Sequence, residues 1–267
     1  MQAKDFEYAG EYLKDWGYII LDYNNKSGFE TIESDSKLSF NTVSLLNGKH
    51  FSLTYAYYED RTELKFCICK SFCPSKKPSF INEYECREIK RWLNRPTFHK
   101  FKLIQPNWQD IYMEGSFNIN EVELNGKTYF LELHFISNHP FALHEPIKHK
   151  CTLQSSSDSY SFLDISDEIG HIYPNLKIKC LQAGNLILRN SNESREMIVN
   201  NCKKNEILTV TPELIISSSD ITHPIQNDFN YNFFRIANQY GNRKNTLSSS
   251  IPVELEFTYS PYVKAVR

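Results

Sequence analysis

The sequence lacks the features that mark several common protein classes. It has only three Met and three Trp in 267 residues, and its net charge is −2, without the basic surplus of nucleic-acid-binding domains. No apolar run approaches the roughly 20 residues that a helix needs to cross a bilayer. The first residues show no secretory signal layout, in which an apolar stretch precedes a small-residue cleavage site. We therefore expect no membrane segment, no sequence-specific nucleic-acid binding, and synthesis and folding in the cytoplasm.

The motifs of several large enzyme classes are also missing. The chain contains no G-x-S-x-G elbow, no Walker loop, no H-E-x-x-H and no G-x-G-x-x-G. A glycosidase needs two carboxylates at a set separation, which depends on the fold and cannot be identified from the sequence. We predict that the protein is not an enzyme and uses no cofactor.

Two groups of residues resemble metal ligands in type but not in spacing. Cys67, Cys69 and Cys73 form C-x-C-x3-C, which is not the C-x2-C spacing of a zinc knuckle, so buried thiols are the favoured interpretation. Histidines recur every five residues, a step that does not bring side chains together on a strand or a helix: His134, His139, His144 and His149. Seven cysteines, an odd number, suit reduced thiols better than a disulfide framework. We predict no metal site.

The remaining composition favours a mainly β protein. The 18 Phe and 16 Tyr suit the half-buried surfaces of pleated strands. The dipeptides Asn47-Gly48 and Asn125-Gly126 predict two-residue hairpin turns, the second within a hairpin over 121–134. Alternating or apolar segments predict strands in the first half at 16–23, 37–46, 51–57, 64–73, 100–105 and 110–118.

One segment, 82–94, has a helical pattern. Asn82 is placed to cap the helix, with Glu85 as the reciprocal partner of a capping box. Pro96 ends the helix because proline disfavours the helical conformation of the residue before it. A single apolar stripe runs along it: Cys86, Ile89, Trp92 and Leu93. We expect this helix to lie on a sheet.

A basic cluster follows the same helix, and it has two interpretations. Its members are Lys90, Arg91, Arg95, Lys100 and Lys102. They form either a solvated polar face or a contact surface for an acidic partner or a neighbouring copy. Aromatic residues, among them Trp92 and Trp108, interleave with the cluster as at interfaces rich in Trp and Arg. Core packing explains Trp92 equally well.

The sequence pattern changes at 138–150, where two prolines interrupt the alternation typical of strands. We place a domain boundary after Lys148, which predicts domains at 1–148 and 149–267. The second half has no segment with a helical period, and its many short strands predict a two-sheet sandwich or jelly roll. The predicted strands are 159–165, 176–180, 185–189, 195–200, 207–210, 214–217, 233–237 and 253–259.

Several short sequence segments along the chain resemble segments of the phage distal tail proteins. IKRWLNRPTFHKFKLIQPNWQDIYMEGSF and LELHFISNHPFAL are similar to that family's N-terminal domain, with a Trp-Leu pair ending a helix, a Y-x-x-G phrase at Tyr112–Gly115 and a closing Pro140-Phe141-Ala142. LKIKCLQAGNLILRNSNESREMIVNNCKKNEILTVTPE resembles the galectin-like C-terminal domain. There Asn205-Glu206 and Thr211-Pro212 replace the commoner Gly and Asp.

The resemblance implies an architecture and a role. The fold would be an N-terminal β-sandwich or split-barrel belt domain with one α-helix (about 82–94), plus a C-terminal galectin-like β-sandwich. The protein would form a hexameric ring at the virion tail tip, assembled in the host bacterial cytoplasm, with a channel that DNA could cross. Its partners would be itself, the tail tube protein, the tail hub or tail-associated lysin, and baseplate or receptor-binding proteins.

A heterologous ring needs two complementary surfaces on each subunit, which the hairpins 45–58 and 121–133 could supply by adding strands to a neighbour. Six residues are candidates for packing or interface positions, none of them catalytic, cofactor-binding or metal-binding: Tyr55, Tyr57, Arg91, Trp92, Trp108 and Tyr112.

Other functions stay open. Galectin-like folds can be lectins, which hold sugars with a tryptophan and a His-Asn-Arg set. All three tryptophans lie before residue 109, and the second half has no H-x-N-x-R phrase, although Tyr and Phe could substitute. The ring could belong to a phage-derived particle rather than an infectious phage. A cell-wall hydrolase is the third alternative.

Overall fold

The computed structural model describes residues 3–21, 37–44, 52–59, 61–71, 79–106 and 108–264, and strands dominate it. This confirms the predicted mainly β fold. The chain divides into two compact units between Leu143 and His144, and Val263 returns to the first unit. The predicted boundary after Lys148 falls inside a strand, Ile147–Leu153, that belongs to the second unit.

The first unit is built on one large antiparallel sheet. Its elements are β1 (Asp5–Tyr8), β2 (Glu11–Tyr12), a 3₁₀ helix (Leu13–Trp16), β3 (Tyr18–Leu21), β4 (Leu38–Ser44), β5 (Ser52–Tyr58), β6 (Glu63–Lys70), α1 (Glu83–Leu93), β7 (His99–Ile104), β8 (Ile111–Leu124), β9 (Lys127–Ser137) and β10 (Ala142–His144). The sheet has the order β2-β1-β7-β8-β9-β6-β3, and β10 also pairs with β8. The Ile20 amide donates to the Lys4 carbonyl at 3.4 Å, so the edge at β3 approaches the chain just before β1, as in a split barrel.

The start of the chain differs from the prediction of one strand over 16–23. Trp16 ends a 3₁₀ helix, which Gly17 closes with a left-handed φ of 80°, and β3 begins only at Tyr18. The Trp16 ring stacks on Trp92 at 5.1 Å between centroids. Trp16 therefore packs under the helix instead of extending the strand.

The predicted helix is confirmed as α1. The Asn82 side chain accepts from the Glu85 amide at 2.9 Å, and the Glu85 carboxylate accepts from the Asn82 amide at 2.8 Å. This is the predicted capping box. All four predicted stripe residues are buried: Cys86, Ile89, Trp92 and Leu93.

Both predicted hairpins of the first unit pair as antiparallel strands. In β8–β9, Leu124 pairs with Lys127 around Asn125 (φ 52°) and Gly126 (φ 70°), the positive angles of a type I′ turn. β4 pairs with β5 from Leu38–Tyr58 to Ser44–Ser52 and forms a separate two-stranded sheet. The predicted turn at 47–48 lies outside the described residues.

The core of the first unit is an aromatic cluster between the sheet and α1. Phe101 contacts Phe117 and Phe135, with centroids 5.3 and 4.5 Å apart. Gly115 makes room for this packing, because a Cβ there would lie 2.5 Å from the Phe135 ring and closer still to the Ile136 carbonyl.

The second unit is a two-sheet sandwich, as predicted. Its elements are β11 (Ile147–Leu153), β12 (Tyr160–Leu163), β13 (Gly170–Ile172), β14 (Asn175–Cys180), β15 (Gly184–Asn190), β16 (Glu196–Cys202), β17 (Ile207–Val210), β18 (Ile216–Ser218), α2 (Ile225–Asp228), β19 (Ile236–Asn238), β20 (Lys244–Ser249) and β21 (Val253–Tyr259); β22 (Tyr262–Val263) follows. One sheet has the order β11-β21-β14-β17-β18, the other β12-β20-β15-β16, and β13 pairs with β19. Side chains from both large sheets form one core.

Several details of the second unit correct the predicted elements. β11, β13 and β20 were not predicted, and the expectation of no helix in this half is corrected by the single turn α2. β18 begins at Ile216 rather than at 214, because Leu214 takes a left-handed φ of 62° in the turn before it. Asn205 has φ 66°, a conformation that Asn tolerates better than most residues, which explains how it can stand in place of Gly.

Candidate assembly surfaces

Three of the six candidate residues lie in the core of the first unit. Trp92 is 2% exposed, and its indole donates to the Tyr8 carbonyl at 3.1 Å. Trp108 and Tyr112 are also buried. The Lys100 ammonium lies 4.4 Å from the centre of the Tyr112 ring. These three aromatic residues stabilise the subunit and leave little surface for a partner.

Two members of the basic cluster contact residues of the first unit. Lys90 forms a 2.6 Å ion pair with Glu121, and Lys100 lies over Tyr112. Arg91 is exposed, and no other described residue pairs with its guanidinium. Arg91 is therefore available to a partner.

The remaining candidates, Tyr55 and Tyr57, lie on the two-stranded sheet of β4 and β5, called here the ribbon. Tyr55 is 52% and Tyr57 49% exposed, with ring centroids 6.1 Å apart. The Asn41 side chain donates to the Tyr55 hydroxyl at 2.9 Å, which fixes that ring on the face it shares with Val43.

The opposite face of the ribbon is also apolar, which the sequence reasoning missed. Phe40 is 71% exposed, and Leu38 lies two residues before it on the same face. Near the end of the ribbon, Tyr58 packs its ring edge-on against Phe141 at 4.8 Å. The sequence of β4 contains the signal for this second face, because successive side chains of a strand point to opposite faces and β4 has apolar residues on both. In an isolated ribbon both faces meet solvent.

The ribbon carries no charged side chain. Neither LSFNTVS in β4 nor SLTYAYY in β5 contains Asp, Glu, Lys, Arg or His. An isolated two-stranded sheet is marginally stable at best in water. Exposed apolar residues on both faces, without charge, are typical of a surface that another molecule covers.

A polar cleft of about 560 Å³ lies elsewhere on the first unit. Its lining includes Lys90, Asn94, Asn118, Asn120 and His134. Several of these groups are already bound, since Asn94 donates to the Phe117 carbonyl at 2.6 Å and His134 lies 2.9 Å from Glu63. The cleft therefore presents few groups without a partner.

The described cysteines and histidines that resemble metal ligands in type do not form a metal site. Cys67 and Cys69 lie on β6, where burial raises the pKa of both thiols, and Cys73 lies outside the described residues. His149 stacks on Phe257 at 4.8 Å and contacts the Tyr160 hydroxyl at 3.0 Å. Within the part of the chain that the structure describes, no group of three or more His, Cys, Asp or Glu could hold a metal ion.

The second unit contains a buried ion pair that the sequence did not reveal. His223 Nδ1 lies 2.5 Å from Glu206 Oε1, and each side chain is 1% exposed. Burial lowers the pKa of His223, but the hydrogen bond and charge of Glu206 outweigh it, so the pKa is raised. Burial likewise raises the pKa of Glu206, but hydrogen bonds from Ser218, the Lys203 amide and His223 outweigh it and lower the pKa.

Neither helix in the described residues has both the length and the apolar character that crossing a membrane requires.

Comparison with known proteins identifies the family. A family model described as a phage tail protein N-terminal domain matches residues 1–139, and one described as a phage tail C-terminal domain matches residues 141–259. No curated protein matches the chain. The crystal structure of SPP1 Dit (gp 19.1), described as a paradigm of the hub adsorption apparatus in phages infecting Gram-positive bacteria, shares the fold. The TM-score is 0.63 over 96% of this chain and 98% of that chain, at 13% identity. The chain therefore belongs to this family of phage tail proteins, which confirms the predicted kinship with phage distal tail proteins.

Proposed function

We propose that the protein is a structural, non-enzymatic subunit of a hexameric ring at the phage tail tip. The ring joins the tail tube to the hub and to baseplate or receptor-binding proteins, after assembly in the host cytoplasm. The first unit acts as the belt and the second as a galectin-like domain. Support comes from the family and from the likeness to SPP1 Dit, which belongs to a hub adsorption apparatus. The structural observation that best supports assembly into a ring is the uncharged ribbon.

The ribbon fits a neighbouring copy of the same chain. A ring requires a heterologous contact, in which one surface of a subunit binds a different surface of the next. The two faces of the ribbon differ, one with Tyr55 and Tyr57 and the other with Leu38 and Phe40. β4 and β5 also pair only with each other in the described structure, so both outer edges are open to strand addition.

The tyrosines are the natural anchors of this contact. Tyrosine is enriched among the residues that dominate binding energy, at about 2 kcal/mol or more each. Losing two such anchors would weaken each subunit contact by about 4 kcal/mol, roughly a thousandfold in affinity. Arginine at the same positions would add the desolvation of two charges.

The test is the mass of the full-length protein by light scattering, with the double variant Tyr55→Arg and Tyr57→Arg. We expect six copies for the wild type and monomers for the variant, with a cooperative thermal transition by tryptophan fluorescence in both, which shows that the variant still folds. A matched control is Tyr84→Arg with Tyr240→Arg, because these tyrosines are also exposed but lie outside the ribbon. The control should remain hexameric. Electron microscopy should show a central channel in the wild type.

Three results would contradict the proposal. A variant that still forms hexamers would remove the ribbon from the contact. A wild-type monomer that binds tightly on a glycan array would replace the ring with a lectin. Hydrolysis of host cell walls in a zymogram would contradict the non-enzymatic assignment.

A further inference from the structure

A short segment that contains α2 closes one edge of the four-stranded sheet. β16 is the last strand of that sheet, and the segment 220–230, called here the latch, lies against it. The Asn230 amide donates to the Ile198 carbonyl at 3.1 Å, and the Asn230 side chain accepts from the Ile198 amide at 3.1 Å. The same side chain donates to the Glu196 carbonyl at 2.9 Å. The latch therefore satisfies backbone groups that an edge strand would otherwise expose.

A buried histidine ties the latch to the rest of the second unit. His223 Nδ1 lies 2.5 Å from Oε1 of Glu206, which directly precedes β17. His223 Nε2 lies 3.2 Å from Oδ2 of Asp228, the last residue of α2. The other Asp228 oxygen accepts from the Asn201 side chain at 2.9 Å, which holds the end of α2 against β16. One imidazole therefore connects a carboxylate outside the latch with a carboxylate inside it.

The two ring nitrogens of His223 have different roles. An ionised carboxylate only accepts hydrogen bonds, so the ring donates its Nδ1 proton to Glu206. Nε2 is buried and has no hydrogen-bond partner among the described residues, although the charge of Asp228 is close to it. Nε2 is therefore the nitrogen that gains or loses a proton when His223 titrates.

The other charged and titratable groups around His223 do not replace these two contacts. Burial lowers the pKa of His223, but the hydrogen bond and charge of Glu206, with contributions from Cys202 and Asp228, raise it above its ordinary value. Asp220 and Lys203 also lie near the start of the latch, but they pair with each other at 2.5 Å. The closed latch therefore favours the protonated ring.

We propose that His223 is a pH-sensitive switch for the latch, in which the Nε2 proton holds Asp228 and loss of that proton opens the latch. The proton leaves Nε2 for solvent, and the remaining lone pair then faces the Asp228 carboxylate, so attraction becomes repulsion. The Nδ1 contact with Glu206 is kept in both states, so α2 and Asn230 are the parts that move. The inference does not depend on the ring or on its number of subunits.

The direction of the pH effect follows from the raised pKa. The stabilisation of the closed latch is complete below the ordinary value near 6.5 and is lost as pH rises through the pKa of the closed state. Each unit by which that pKa exceeds the ordinary value corresponds to a tenfold increase in the open fraction across the titration. Opening exposes the backbone groups of Ile198 and Glu196 to water, as a local rather than a global event.

The test is hydrogen exchange of the full-length chain, followed by mass spectrometry between about pH 5.5 and 9. Exchange of the ring C2 hydrogen of His223 reports its pKa in the same samples. After correction for the intrinsic pH dependence of exchange, peptides that contain Ile198 and Asn230 should lose protection in parallel with deprotonation of His223. A peptide from β21, in the other sheet, should keep its protection.

Asp228→Asn should keep the latch closed at high pH. The Asn oxygen can still accept from Asn201, and its amide nitrogen can donate to the neutral Nε2. The matched control is Asp220→Asn, which removes a carboxylate of the same segment that faces Lys203 instead of His223. The control should open with rising pH as the wild type does.

Three outcomes would overturn the proposal. The first is wild-type protection at Ile198 and Asn230 that stays constant while His223 titrates. The second is a loss of protection in Asp228→Asn equal to that of the wild type. The third is a parallel loss in β21, which would assign the change to unfolding of the whole unit. The first and third need only the wild type, so they decide the matter even if a variant folds poorly.

Discussion

Replacing Glu206 with Gln should destabilise the second unit and leave the first unchanged. The substitution keeps the shape of the side chain but removes the charge that faces His223 at 2.5 Å. His223 Nε2 also lies 3.2 Å from Asp228, as a charge contact without hydrogen-bond alignment. Cys202 interacts electrostatically with His223, and Lys203 forms a 2.5 Å ion pair with Asp220 on the exposed side of the site.

The expected loss follows from the burial of both partners. Breaking a buried ion pair by removing one member costs about 3–5 kcal/mol, because the other charge is left without compensation. The Glu206 carboxylate also accepts from the Ser218 hydroxyl at 2.5 Å and the Lys203 amide at 2.7 Å. A Gln amide can keep only one oxygen as an acceptor, so about 3 kcal/mol is a conservative expectation.

The loss should depend on pH in a defined direction. The pKa of His223 is raised, so its contribution is complete below the unfolded value near 6.5 and disappears as pH rises through the folded value. The pKa of Glu206 is lowered, so its contribution is complete above about 4.3 and disappears as pH falls through the folded value. The difference between wild type and variant should therefore be largest between about pH 4.5 and 6.5.

The distribution of tryptophan makes the assay specific. Trp16, Trp92 and Trp108 all belong to the first unit, so tryptophan fluorescence reports only its unfolding. Calorimetry or far-UV circular dichroism then follows the second unit. Lys179→Gln is the control, because it breaks a partly exposed 3.6 Å pair with Glu254, worth about 0–1 kcal/mol. A loss below about 1 kcal/mol at pH 6 for Glu206→Gln, or one that stays constant as the pH rises through the folded pKa of His223, would refute the reasoning.

Two further predictions concern the first unit, and tryptophan fluorescence measures both. Gly115→Ala should lower stability by about 1–3 kcal/mol, since the new methyl group would overlap the Phe135 ring and the Ile136 carbonyl; an unchanged transition would mean that β8 and β9 can separate locally. Asn82→Ala should cost about 1 kcal/mol by removing the cap of α1, whereas Asn82→Ser should restore most of it; equal losses in both variants would assign the effect to something other than capping.

Local signals allowed part of the fold to be predicted. The capping box at Asn82 and the turn at Asn125-Gly126 depend on residues a few positions apart, and both are confirmed. The predicted strand 253–259 coincides with β21, because its inward and outward residues alternate without interruption. β20 was missed because its sequence, KNTLSS, has one large apolar residue and reads as a turn.

The buried ion pair of the second unit and the exposed ribbon of the first could not be predicted, because they depend on contacts between residues far apart in the sequence. His223 meets Glu206 across the β17–β18 hairpin, so this pair has no local sequence motif. Burial also separated residues that looked alike. Trp92 and Trp108 pack in the core, whereas Tyr55 and Tyr57 face solvent. The reason is that β4 and β5 form a sheet separate from the main one.

The uncharged ribbon also affects the solubility of the newly made chain. Charged gatekeeper residues and proline normally prevent the edges of sheets from pairing with the wrong chain, and β4 and β5 contain neither. Lys37 and Glu59 flank the two strands at one end, where the Glu59 amide donates to the Lys37 carbonyl at 2.9 Å, so charge protects that end of the ribbon but not the strands themselves. Under the proposed assembly, the yield of soluble protein should therefore rise when the ribbon is covered soon after synthesis.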